Sequence, residues 1–105
     1  MEKKFKDQTP DPRSEATVRR LIDELRLGEP KYELMTSGFA DVTRQQLPQL
    51  KATVTQLGAV ESVTFKGVEQ VGADIYDVKF EHGSMEWSVM LNSDGKVAGV
   101  RLRPL

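Results

Sequence analysis

The chain has 105 residues, no cysteine, and fifteen basic against sixteen acidic side chains for a formal net charge of −1. That is the size of one small domain with a single core and no need of disulfide staples. It excludes disulfides, thiolate metal sites and a cysteine nucleophile, and a balanced charge without a long run of one sign argues against a nucleic-acid binder.

The opening segment, MEKKFKDQTPDPRS, lacks the apolar stretch of a secretory signal, and no run has the length of a transmembrane helix. The expectation is a soluble chain of open compartment, either free-standing or a module cut from a longer protein. Residues 1–13, charged and holding Pro10 and Pro12, are expected to form a flexible arm, and residues 14–105 a single domain.

A first helix is predicted over about Pro12 to Leu27. Asp11 is its cap, Pro12 its first position, and Glu15 lies in its first turn. Val18, Leu21, Ile22 and Leu25 recur at helical spacing on one face, and Gly28 followed by Pro30 stops the helix. Between Glu29 and Ala40 the apolar residues Tyr32, Leu34, Met35 and Phe39 are interrupted by Ser37-Gly38, which reads as a short helical turn and then a loop. A second helix follows, capped by Asp41 or Thr43, with Leu47, Leu50, Val54 and Leu57 on its buried stripe and Gly58 at its end. Pro48 inside that pattern is expected to kink the helix or to begin a new one, because it removes a donor and clashes with the preceding turn.

From Gly58 to Pro104 the chain alternates apolar and polar residues, with turn signals at His82-Gly83 and Asp94-Gly95. A first strand over Val60 to about Val68 puts Val63 and Phe65 on the apolar side. Two-residue turns at the two signals pair Phe80 with Met85, Val78 with Trp87 and Tyr76 with Val89. They also pair Leu91 with Ala98, Val89 with Val100 and Trp87 with Leu102. On the other face Glu86 then lies between Lys79 and Arg103, Ser88 lies opposite Asp77 and Arg101, and these pairs support the register. The predicted architecture is α+β: two main helices packed on one face of a four-stranded antiparallel meander.

Signals for chemistry are sparse. The single histidine, His82, falls in a turn, where solvent and local backbone demands account for it. There is no HExxH spacing, no GxSxG or SxxK around a serine, and no phosphate-cradling glycine loop. No catalytic residue, metal site or cofactor is expected. Of the paired carboxylates, Asp77 faces outward as a solvated ion pair, and Asp74 is expected at the strand start with access to water. Tyr76, Phe80, Met85 and Trp87 form an inward stripe that supplies core area. On the outer face, Val68, Ile75, Met90 and Val97 are expected to gather as a small apolar patch, with Ile75, Met90 and Val97 as candidate interface residues.

The words YELM, LPQLKATVTQLGAVESVTFKGV, GADIYDVKFEHGSMEW and NSDGKVAGVRLRP give the stretch from Tyr32 to Pro104 a resemblance to the cystatin-like α+β group. That group includes the nuclear-transport-factor-like and ketosteroid-isomerase-like proteins, and among them small domains appended to bacterial serine hydrolases. The resemblance implies helices followed by a curved meander. Its motifs are structural, so no catalytic residue is carried over. The leading functional expectation is a non-catalytic accessory or interaction domain whose partner is an attached hydrolase domain or a second copy of the chain. The alternative is a small-ligand-binding or isomerase-like protein with a pocket between helices and sheet near Tyr32, Met35, Tyr76 and Trp87. A cystatin-type inhibitor is disfavoured, since Gln70-Val71-Gly72 does not have the QxVxG spacing.

Overall fold

The computed structural model describes residues 10–104. Helix α1 (Ser14–Leu27) leads through a single 3-10 turn (Tyr32–Leu34) into helix α2 (Ser37–Leu57), followed by strands β1 (Val60–Val68), β2 (Asp74–Phe80), β3 (Gly83–Leu91) and β4 (Val97–Pro104). The strands form one antiparallel sheet in the order β1-β2-β3-β4, with both helices against one face. This is the expected α+β architecture.

The α1 stripe packs as its spacing demands: Val18, Leu21, Ile22 and Leu25 are buried against Tyr76, Val78, Phe80, Trp87 and Val89 of the sheet. Regular helix begins at Ser14, after a turn at Pro12-Arg13, with Arg13 in the cap position expected for Asp11 and no side-chain cap bond; Asp11 Oδ1 instead accepts from the Arg13 N–H at 2.8 Å within the preceding turn. Of the arm expected over 1–13, residues 1–9 lie outside those described. Pro10–Arg13 are tied down, because the Asp11 N–H donates to Asp74 Oδ2 at 2.9 Å.

Helix α2 starts earlier than expected, with Thr36 as its cap in place of Asp41 or Thr43. Thr36 is extended, its N–H donates to the Val97 carbonyl at 2.9 Å, and its hydroxyl accepts from Phe39 N at 3.4 Å. Ser37-Gly38 therefore open the helix instead of breaking the pattern. The helix also runs through Pro48 without interruption. Pro48 and Arg44, whose carbonyl loses its helical donor, both lie on the solvent side, where water can replace the missing bond.

At the other end of α2, Gly58 has φ +81°, a backbone that favours glycine, and a Cβ there would stand 2.8 Å from Glu81 Oε1. The close approach exists because the β2–β3 turn docks on this corner. Glu81 N donates to the Ala59 carbonyl, His82 N to the Leu57 carbonyl, and Ala59 N to Glu81 Oε1.

That docking corrects the β2–β3 register. The two-residue loop is Glu81-His82, with Phe80 opposite Gly83, so Val78 faces Met85, Tyr76 faces Trp87 and Asp74 faces Val89. Moving the loop by one residue moves each partner by two, so every inward side chain stays inward while its neighbour changes. In the β3–β4 hairpin the expected pairs Val89–Val100, Trp87–Leu102, Ser88–Arg101 and Glu86–Arg103 are present, but an irregularity beside Leu91 sets it opposite Val97. On β1, Val63 faces Val78, and Phe65 faces Tyr76 with ring centroids 5.7 Å apart, edge to face. A further irregularity after Phe65 places Val68 opposite Asp74.

The outer face carries charge. Glu86 accepts from Lys66 and from Arg103, each at 2.9 Å, so Lys66 takes the place expected for Lys79, which pairs with Glu61 at 3.8 Å. The hydrogen bond from Lys66, then the nearby charges of Arg103 and Lys66, hold the Glu86 carboxyl below its ordinary value of 4.5 against the opposing effect of burial. A carboxyl with a depressed folded pKa stabilises the fold at pH values above 4.5 and loses that contribution as pH falls through the folded value. Glu86→Gln should therefore flatten the acid limb of thermal stability below about pH 4.5 while leaving its shape at neutral pH unchanged. Circular dichroism melts from pH 3 to pH 7 would check this, and parallel acid limbs would rule Glu86 out as their source.

Candidate functional site

The expected stripe of α2 is not fully covered. Val54 is buried, yet Leu47, Leu50 and Leu57 remain half-exposed, and Val42 is 46% exposed. Phe39, Val42, Thr43, Gln46, Gln49, Leu50 and Thr53, spaced at three and four residues, form one wall of a cavity of about 440 Å³. The opposite wall is the sheet, with Met85 and Trp87 of β3 and Val100 and Leu102 of β4. Leu21 and Leu25 of α1 and Met35 complete the lining.

The cavity runs along α2 between two points at which the helix is tied down, while Ala40 and Val54 of the same helix are buried in the core. One anchor is the Thr36–Val97 backbone bond. The other is the corner where the Glu81-His82 turn docks, reinforced by Arg26, which donates to the Gly58 carbonyl. Twenty-one residues of helix span about 30 Å between these anchors.

The lining is apolar with a polar rim. The hydroxyls of Thr43 and Thr53 donate back to the Phe39 and Gln49 carbonyls. Arg101, at the rim, is engaged by Glu69 at 2.6 Å. Trp87 is 1% exposed, and among the described residues its Nε1–H has no acceptor.

Of the four residues expected around a pocket, Met35 and Trp87 line this cavity. Tyr32 lies to one side with the Arg44 guanidinium 4.3 Å over its ring. Tyr76 is turned toward the start of α1, its hydroxyl 2.6 Å from Ser14 Oγ. Ser14 gives its own proton to the Asp11 carbonyl, so Tyr76 is the donor in that pair. Burial raises the Tyr76 pKa, and the Asp74 charge adds to the shift. Asp74 itself is 1% exposed, a correction to the expectation of an acid open to water. The turn at Pro10–Arg13 covers the start of β2, and the Asp11 N–H binds the carboxylate.

The expected outer patch is also corrected. Val97 is fully buried in the core and Val68 is 4% exposed, since the strand irregularities at Leu91 and after Phe65 change their pairing. Ile75 and Met90 remain half-buried. Met90 borders a shallow depression together with the exposed Val71.

His82 is exposed at its turn, and among the described residues no group of three or more His, Asp or Glu side chains is placed to hold a metal ion. Among the same residues, no helix is long and apolar enough to cross a membrane.

Phe39, Leu21, Leu25, Val100 and Leu102 belong to the cavity and were not singled out as pocket residues from the sequence. For Phe39 a signal was present: Thr36, three residues upstream, has the spacing of a side-chain cap. No protein-family model, curated protein or solved structure matches this chain.

Proposed function

We propose that the domain binds a small, largely apolar molecule in the cavity between α2 and the sheet, as a binding module without chemistry of its own. The supporting observation is the cavity itself: about 440 Å³, walled by apolar side chains and spanned by a helix tethered at both ends. Ligand pockets are concave, mostly apolar and in the range of roughly 300–1,000 Å³.

The resemblance to the cystatin-like group is in keeping with this reading, since enzymes of that wider group use a pocket between helices and sheet. The leading expectation from the sequence, an interaction module appended to a hydrolase or self-associating, would meet its partner through the sheet or the outer patch. With Val68 and Val97 buried, only Ile75 and Met90 are left to carry it.

The test uses the neutral dye N-phenyl-1-naphthylamine, whose emission rises in apolar surroundings. The native domain should bind it with a 1:1 stoichiometry. Leu50→Glu, at a half-exposed wall position, should weaken binding at least tenfold because a charge would have to be desolvated to seat the dye. The variant should melt within a few degrees of the parent. Dye binding untouched by Leu50→Glu would reject the cavity as the site. A concentration-dependent mass in sedimentation, with dye expelled on association, would assign the cavity to a second copy instead.

A further inference from the structure

The outline of the cavity narrows its ligand further than its polarity does, and this step rests on the binding function proposed above. Helix α2 runs beside the edge strand β4 in the same direction. Its start is held at Val97, whose carbonyl receives Thr36 N, and its end at His82, whose N–H donates to the Leu57 carbonyl. His82 precedes β3, and Met85 of β3 lies opposite Pro104 at the end of β4. The cavity extends along this direction. Phe39 and Thr53 both border it, and the helix advances about 21 Å between them. On the sheet side Met35, bridged to Val97, and Met85, opposite Pro104, also border it. From Val97 to Pro104 the strand advances about 23 Å, so the two rulers agree.

Across this axis the cavity is narrow. Its floor comes from β3 and β4, with Leu21 and Leu25 of α1 along the side, and among the described residues none of β1 or β2 takes part. Spread over about 21 Å, a volume of about 440 Å³ leaves a mean cross-section of about 21 Å². That is about 4.6 Å on a side, close to the roughly 4.0–4.5 Å at which apolar groups touch. One row of methylenes fills such a section, whereas fused saturated rings need a broader one. Arg101 is the charged side chain of the lining, and it stands at the rim paired with Glu69. A charge carried into the interior would be buried without a partner.

We infer that the cavity takes a single unbranched hydrocarbon chain, laid along α2 with its polar head left in water at the rim. An extended chain advances about 1.25 Å per carbon, from a bond of about 1.52 Å and an angle of about 111°. About sixteen carbons therefore match the length of the cavity.

The experiment displaces the naphthylamine dye with n-alkyl maltosides, an uncharged series of one head group, each kept below its micellar concentration. Affinity should rise roughly three- to fourfold per methylene from about eight carbons, then level off near about sixteen. The 6-cyclohexylhexyl maltoside has the carbon count of the dodecyl compound but ends in a ring. It should bind at least tenfold more weakly than the dodecyl compound, because the ring overfills the section. Thr53→Trp, at a half-exposed position on one end of the cavity, should move the levelling point about four carbons shorter, the length of one helical turn. If that variant does not fold, the parent's levelling point and the ring-ended isomer decide.

An affinity that climbs unbroken through eighteen carbons, or equal binding of the two isomers, would overturn the inference and leave the cavity function standing. A levelling point unmoved by Thr53→Trp would overturn it as well, since the chain would not lie along α2. Displacement by phosphatidylcholine vesicles that sediment with the domain, with none by monomeric maltosides, would assign the site to a bilayer surface instead. Absence of binding by both the maltosides and the dye would overturn the cavity function itself.

Discussion

Aspartate at Val97 should leave the domain without a cooperative thermal transition, whereas lysine at Met90 should shift the midpoint by only a few degrees. The two residues lie near one another at the β3–β4 end of the sheet, and strict alternation along both strands would put both on the outer face. The irregularity beside Leu91 separates them: Leu91 pairs with Val97 while Met90 pairs with Gly99, so Val97 is fully buried among core side chains. Its backbone is committed as well, since the Val97 carbonyl receives the N–H of Thr36, the cap of α2. A carboxylate there, among the buried apolar side chains of the core, must either be buried or push the strand away from the helix cap. Buried unpaired charge belongs to the short list of changes that cost more than about 4 kcal/mol, against a total stability of about 5–15 kcal/mol for a typical domain. Met90 points to the charged outer face and is half-exposed, where substitutions cost about 0.5 kcal/mol or less. A folded Val97→Asp protein beside an unfolded Met90→Lys protein would mean that alternation runs straight through the turn and that the irregularity is absent.

The same pair marks the boundary of what the sequence discloses. The β3–β4 hairpin was legible because its turn is built from its own residues: Asn92 Oδ1 accepts from Asp94 N and Lys96 N within the loop. Its pairs away from the turn followed from alternation and opposite charges. The β2–β3 turn was displaced because its amides are satisfied by Leu57 and Ala59, on an element outside the hairpin. His82-Gly83 is a sound local signal, but the loop sits where a distant acceptor waits. The start of α2 has the same cause, since Thr36 is fixed by Val97, sixty-one residues away in sequence. Apolar stripes foretold which faces turn inward. They did not foretell that Leu47 and Leu50 would stay half-covered, because the gap beneath α2 depends on where its two ends are tied, and periodicity carries no distance. Two of the four residues expected around a pocket, Met35 and Trp87, line the cavity, and of these Trp87 was identifiable as inward from strand alternation. Tyr76 was inward too, yet its hydroxyl answers to Ser14, a partner that no spacing along the strand reveals.

Trp87→Ala should cost about 3–5 kcal/mol of stability, and free indole should restore part of it. Trp87 is the largest fully buried side chain of the domain and faces Tyr76 on β2 and Leu102 on β4. The penalty of a large-to-small change depends on whether neighbours can close the space left behind. Here they cannot close it readily. The indole borders the 440 Å³ cavity, whose opposite wall is α2, and both ends of that helix are anchored by backbone bonds. Removal of the side chain should join its volume to the cavity instead of drawing the helix inward. The cost therefore belongs in the upper part of the range, and for a domain of this length each kcal/mol lowers the midpoint by roughly 4–8 °C. An uncollapsed space of indole shape is also a binding site. At a free indole concentration one hundred times its Kd the variant should regain about 2.7 kcal/mol, seen as a concentration-dependent rise in melting temperature larger than any rise in the parent. A loss of less than about 1 kcal/mol would mean that α2 collapses onto the sheet. A full loss without rescue would mean that the space left behind does not keep the shape of an indole. With the small loss, the tethered helix would not be what keeps the cavity open, and the binding function proposed for that cavity would lose its structural basis.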